Sequence, residues 1–127
     1  LCPGARDRAA GVSRHLRGIA AEDAAAKAYE ARGGKVLARR WRAAEGEIDL
    51  VIALGDELVF VEVKARRDHA GAALSVSPRQ WTRIAAAAER FMAETGQTGR
   101  PCRFDLVTVD AAGVVALIEN AASFDEW

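Results

Sequence analysis

An α/β sandwich on a mixed sheet is the fold class this sequence predicts, and three observations predict it. A helical stripe of alanines opens the patterned part of the chain. Two β-rich runs meet around Gly55-Asp56, and a capped amphipathic helix separates them from two further strands. The expected element order is αβββαββ, a central mixed sheet flanked by helices. At 127 residues there is room for one core. A single domain is expected over 16–121, between a flexible lead-in 1–15 and a tail 122–127.

The first helix is read from Leu16, Ala20, Ala24, Ala28 and Ala31, which recur on one stripe until Gly33-Gly34 supplies a left-handed stop. Lys35 to Trp41 is a short strand. The runs Glu47–Leu54 and Glu57–Ala65 flank Gly55-Asp56 and read as a hairpin with glycine first in its turn. Residues 66–76 are polar and contain glycine, which predicts a loop. Ser77-Pro78-Arg79-Gln80 is then a capping box with proline at the first helical position. The second helix should bury Trp81, Ile84, Ala85, Ala88, Phe91 and Met92 and end at Gly96. Strands at about 102–109 and 113–119 follow, joined by an alanine-glycine turn.

Composition removes several classes of function. Half the residues are hydrophobic and 28% are charged, which is globular composition. Apolar runs are only a few residues long, so neither a membrane span nor a secretory signal is predicted. Two cysteines, Cys2 and Cys102, make neither a disulfide framework nor a zinc site and suit a reducing cytoplasm. His15 and His69 are the only histidines, a poor supply for a triad hydrolase or a histidine metal centre. The zero net charge hides an asymmetry. Residues 1–45 carry ten Lys/Arg against five Asp/Glu, and residues 106–127 carry none against four. A basic first third points weakly to a polyanion partner.

The hairpin carries the chemistry. With Gly55-Asp56 as its turn, Asp49 stands opposite Glu62 and Glu47 opposite Lys64, and alternation puts all four on one face. Opposed carboxylates repel, by roughly 0.2–1 kcal/mol on an exposed sheet and more when buried. A divalent cation offsets that cost, since magnesium takes one or two carboxylates and keeps water and phosphate oxygens as its other ligands. Lys64 can hold or deprotonate a water or stabilise charge building at phosphorus. The competing reading is the solvated face of a one-sided sheet with Glu47–Lys64 as a cross-strand ion pair. Val59, Val61 and Val63 on one face, with Phe60 beside Glu62 on the other, favour a strand buried on both sides, where carboxylates need partners.

Asp49, twelve residues, then Glu62-Val63-Lys64 has the form of the PD-(D/E)xK nuclease signature. The flanking text is more specific. Gly46-Glu47-Ile48-Asp49-Leu50-Val51 and Val59-Phe60-Val61-Glu62-Val63-Lys64-Ala65-Arg66 resemble the YraN-like family of small bacterial endonuclease-fold proteins. Glu22, Val76, Pro78, Pro101-Cys102-Arg103-Phe104-Asp105 and Ile118-Glu119-Asn120-Ala121 extend the likeness over Gly18 to Ala121. The resemblance implies a restriction-endonuclease-like core, kinship with Holliday-junction resolvases, magnesium or manganese as cofactor, DNA as partner and a homodimer by analogy. It makes Asp49, Glu62 and Lys64 catalytic, with Asp49, Glu62 and the first-helix Glu22 as metal ligands. An ordinary exposed helix residue is the other reading of Glu22. Two positions depart from the family pattern: Gln80 stands where lysine is frequent, and Arg40 where asparagine is.

Arg66 and Arg67 directly follow the Glu62–Lys64 strand and are expected to meet a scissile phosphate. Gln80 is first a helix cap and second a phosphate ligand. Arg40 belongs to Arg39-Arg40-Trp41-Arg42, which suits phosphate contacts with base stacking or an edge strand whose tryptophan packs inward. His69 reads as a solvated loop residue, with a general-base role as the alternative, and Asp105 as a structural ion-pair partner of Arg103. The function expected is a cytoplasmic, magnesium-dependent DNA endonuclease, acting on branched or single-stranded substrates. The alternative is a non-catalytic nucleic-acid-binding protein that keeps the fold. A purely structural ion-pair network is the third reading.

Overall fold

The computed structural model of the protein describes residues 18–122. The expected lead-in 1–15, Leu16 of the first stripe, and the tail from 123 onward lie outside them. A first helix, α1, covers 18–30 of the described residues. Then come β1 (Lys35–Arg42), β2 (Glu47–Leu54), β3 (Glu57–Ala65), α2 (His69–Leu74), α3 (Pro78–Glu94), β4 (Cys102–Val109) and β5 (Val115–Ile118). The five strands form one mixed sheet in sequence order. Only β3 and β4 run parallel, and α2 and α3 make the crossover between them.

The sheet is buried on both faces. Ile48, Val51, Leu58, Phe60 and Leu106 pack with Trp81, Ile84, Ala88, Phe91 and Met92 of α3. On the opposite face Leu50, Ile52, Val59, Val61 and Val107 pack with Ala21, Ala25, Ala26 and Tyr29 of α1. Along β3 the layers alternate residue by residue, as the pleat requires. The hairpin register is the one its turn predicts, from Leu54↔Glu57 to Leu50↔Val61, with Gly55 at φ 60°.

Three expectations need correction. The stripe of α1 is rotated by one residue: Ala21, Ala25 and Tyr29 are buried, whereas Ala20 and Ala31 are exposed. Alanines on several faces leave the phase open, and Tyr29 sets it, because its hydroxyl donates to the fully buried Asp105 at 2.7 Å. Residues 69–74 are not loop but the short helix α2, capped by Asp68, whose Oδ1 accepts from the Gly71 amide at 2.7 Å. Helix α3 starts as expected, with Ser77 accepting from the Gln80 amide. Its buried face exchanges the expected Ala85 for Ala87.

Trp41 meets Phe91 edge-on, with ring centroids 5.4 Å apart, so the tryptophan of the Arg39–Arg42 stretch packs inward. The arginines beside it take carboxylates: Arg39 pairs with Asp23, Arg40 with Glu22 and Arg42 with Glu47. Asp105 is a structural centre. Besides Tyr29 it accepts from Arg103 Nε at 3.1 Å and from the Asn120 amide at 3.1 Å, tying α1, β4 and the end of β5 together.

Candidate active site

At the end of the hairpin away from its turn, β2 leaves regular pairing. Ile48 packs toward α3 and Leu50 toward α1, although residues two apart on a strand share a face. The local twist falls on Asp49. On the other side of β2, the pairs Arg39↔Leu50 and Trp41↔Ile48 bracket Arg40, whose φ of 48° is left-handed. With the ladder open, the Asp49 carboxylate acts as backbone acceptor, and its Oδ2 takes the Val63 amide proton at 2.8 Å.

That irregularity turns Asp49 into an open cleft of about 410 Å³ between the hairpin end and the first turns of α3. Asp49, Glu62 and Glu47 supply its acidic side, with Gly46 beside them. Helix α3 supplies Ser77, Arg79, Gln80, Arg83 and Ile84. Gly46 allows the close approach of the two walls, since a Cβ there would lie 2.9 Å from the Arg83 carbonyl oxygen.

Glu62 is 7% exposed, and its carboxyl is pushed up to about 9. Burial is the largest cause, followed by the hydrogen bond with Asp49 and the charge of Asp49. Lys64 and Gln80 oppose the rise, Lys64 by its charge and Gln80 by donating from Nε2 to Glu62 Oε2 at 3.1 Å. Glu62 thus keeps its proton near neutral pH, as an acid in a poorly solvated site beside another acid does. Gln80 therefore serves Glu62 with its side chain and the cap of α3 only with its backbone.

The other expected site residues are distributed as follows. Lys64 follows Glu62 by two on β3 and, among the described residues, has no hydrogen bond or ion pair, although it does not line the cleft. Glu47 pairs with Arg42 at 3.3 Å, not with Lys64. Glu22 is held by Arg40 Nε at 2.7 and 2.9 Å. Among the described residues no group of three His, Cys, Asp or Glu side chains gathers as a metal cage. The Arg40 guanidinium also feels the charges of Glu47 and Asp49. Arg66 and Arg67 are exposed and lie off the cleft. His69 begins α2, with Nδ1 sharing a 2.6 Å hydrogen bond with Thr108 Oγ1 and Nε2 3.4 Å from Asp110. It too is absent from the cleft wall.

Sequence reading missed Arg79 and Arg83. The signal was present, because positions 79, 80, 83 and 84 recur at helical spacing on the face that carries Gln80.

The fold and cleft define a small α/β protein with a paired-carboxylate site at an opened hairpin end. Residues 21–109 match the family described as Uncharacterised protein family UPF0102, and the chain belongs to it. A UPF0102 protein of Ruegeria pomeroyi is 50% identical over 113 residues, covering 87% of this chain and 91% of its own. One from Cereibacter sphaeroides is 46% identical over 113 residues, covering 87% and 96%. One from Azorhizobium caulinodans is 46% identical over 108 residues, covering 84% and 82%. This is the YraN-like family that the hairpin motifs resemble. Among the described residues no helix is long and apolar enough to cross a membrane.

Proposed function

We propose that the cleft is the active site of a metal-dependent nuclease of the PD-(D/E)xK type, hydrolysing DNA phosphodiester bonds on a restriction-endonuclease-like core. The observation that carries this reading is the Asp49–Glu62 pair, with Glu62 holding its proton, inside a cleft whose other wall carries Arg79 and Arg83, both unpaired among the described residues. A buried carboxyl holding its proton against a neighbouring carboxylate is a site short of positive charge. Two hard oxygen donors with open space beside them suit magnesium or manganese, which complete their shell with water and phosphate oxygens. The donor set therefore fits the ion.

When bound, the ion would supply a polarised phosphate and a water of lowered pKa. The chain's own groups do the rest. Asp49 is fixed by the Val63 amide and Glu62 by Gln80, so both carboxylates are held before substrate arrives. Lys64, unpaired among the described residues, keeps its ammonium on the strand that carries Glu62, where it can offset charge building on the phosphate oxygens. Glu22 holds Arg40 by Nε beside the acidic pair, and among the described residues both Nη groups stay free for a substrate oxygen.

Incubation with manganese and a panel of linear, flapped, four-way and single-stranded DNA tests the reading. The expected outcome is cleavage by the parent and loss of cleavage, with binding kept, in Asp49→Asn. A parent that binds these substrates and cuts none is a nucleic-acid-binding protein with a nuclease-shaped cleft.

A further inference from the structure

We propose that Arg79 and Arg83 form a two-point phosphate clamp on the α3 wall, seating one strand of nucleic acid across the Asp49–Glu62 pair and reading its backbone rather than its bases. This deepens the nuclease reading and rests on it for the identity of the reacting bond.

Eleven arginines fall within residues 18–122, and the side chains of eight donate to a carboxylate, a carbonyl or an amide oxygen. Arg67, Arg79 and Arg83 have no such partner among the described residues. Two of these three line the one cleft that holds the acidic pair. Arg67 apart, the described surface neutralises its other arginines locally, while this wall keeps two charges available. Their placement is fixed. Four residues apart on a 17-residue helix, they stand one above the other, about 6 Å apart along the axis. Gly46 lies against the backbone of Arg83, which pins that end of the wall.

The substrate class follows from size and lining. A space of about 410 Å³ is that of a pocket for one drug-sized molecule, hence for one nucleotide unit and not a base-paired segment. Among the described residues no aromatic ring lines it, and Ile84 is the one apolar side chain that does. Stacking, the usual handle on bases in single strands, is missing here, while guanidinium groups suit phosphate oxygens. Gln80, the only lining amide, is already bonded to Glu62. The strand is therefore held by its phosphates.

The test is fluorescence anisotropy of the full chain in EDTA, with labelled single-stranded DNA of mixed sequence, its poly-dT counterpart and the matching duplex, over a series of salt concentrations. The parent should bind both single strands alike and more tightly than the duplex. Arg79→Ala with Arg83→Ala should weaken single-strand binding more than tenfold. It should also flatten the slope of log K against log salt by about 1.4, the value for two lost phosphate contacts at about 0.7 each. Arg79→Lys with Arg83→Lys should keep most of the slope, which separates loss of charge from damage to the helix. Unchanged affinity and slope in the alanine pair overturn the clamp, as does a slope that falls only in Arg66→Ala with Arg67→Ala, or preference for duplex. The two readings fail separately. Manganese-dependent cutting by the parent with an unaffected alanine pair leaves the nuclease and removes the clamp. Weakened binding with no cutting by the parent does the reverse.

Discussion

The buried Glu62 carboxyl ties the stability of the protein to pH. Glu62 is held at about 9 in the folded chain against an ordinary value of 4.5. Between those limits the folded state keeps a proton that the unfolded chain has released, so stability falls as pH rises through the window and is full below it. Asp49→Asn should flatten that fall. An asparagine oxygen can still accept the Val63 amide proton, while its NH2 donates to Glu62 and removes the charge that opposes ionisation. Thermal melts in EDTA from pH 5 to 9 check this. The parent should lose melting temperature toward pH 9, and the variant should equal or exceed it at the alkaline end. A variant that melts far below the parent throughout would make Asp49 a structural ion-pair partner and remove the metal-site reading. The acidic pair was legible because alternation and a glycine turn fix which side chains oppose one another. Arg40 was not legible: its left-handed φ and its grip on Glu22 depend on β1 crossing β2 at the irregular position, which no local pattern records.

Elements show the same division between periodic signal and tertiary choice. The hairpin, α3 and β4 fall where pattern, caps and glycines agree. In α1 the alanine-rich surface carries too little contrast, and the partner of one tyrosine on a distant strand decides which stripe is buried. In α2 the brevity of the helix and the glycine within it masked an Asp68 cap that is plain once the structure is known. The cleft depends on how two elements meet, the 43–46 turn and α3, and Gly46 is where their backbones press together, next to the Glu45–Arg90 ion pair. Gly46→Ala would bring a Cβ to 2.9 Å from the Arg83 carbonyl oxygen and 3.4 Å from its Cβ, so backbone must give way. The expected cost is about 1–3 kcal/mol in denaturant unfolding, typical of overpacking. Helix α3 shifted from β2 should also weaken single-strand binding. A neutral effect on both measurements would mean that the walls of the cleft are set elsewhere, with the Gln80–Glu62 bond as the next contact to break.

At the scale of the whole molecule, a sheet buried on both faces leaves few places for a charged site, and the opened end of the β2–β3 pair is one. Its partner strand β3 is central, flanked by β2 and β4, so a ligand that ties Asp49 to Glu62 ties the splayed end of β2 to the middle of the sheet. Binding there should be read out as global stability. An ion held by the folded chain and not by the unfolded one contributes RT ln(1 + [L]/Kd), about 2.7 kcal/mol at a hundredfold excess over Kd. For a domain near 100 residues each kcal/mol moves the melting temperature by roughly 4 °C or more, so the total rise is on the order of 10 °C. The rise should be larger at pH 8.5 than at pH 6, because the ion must displace the proton that Glu62 holds, and displacement is easier when protons are scarce. Scanning calorimetry with magnesium at constant ionic strength measures both effects. The parent should gain with magnesium and gain more at the higher pH, while Asp49→Asn should gain little at either. Equal gains in parent and variant would place the ion elsewhere on the protein, and a pH-independent gain would separate it from the Glu62 carboxyl.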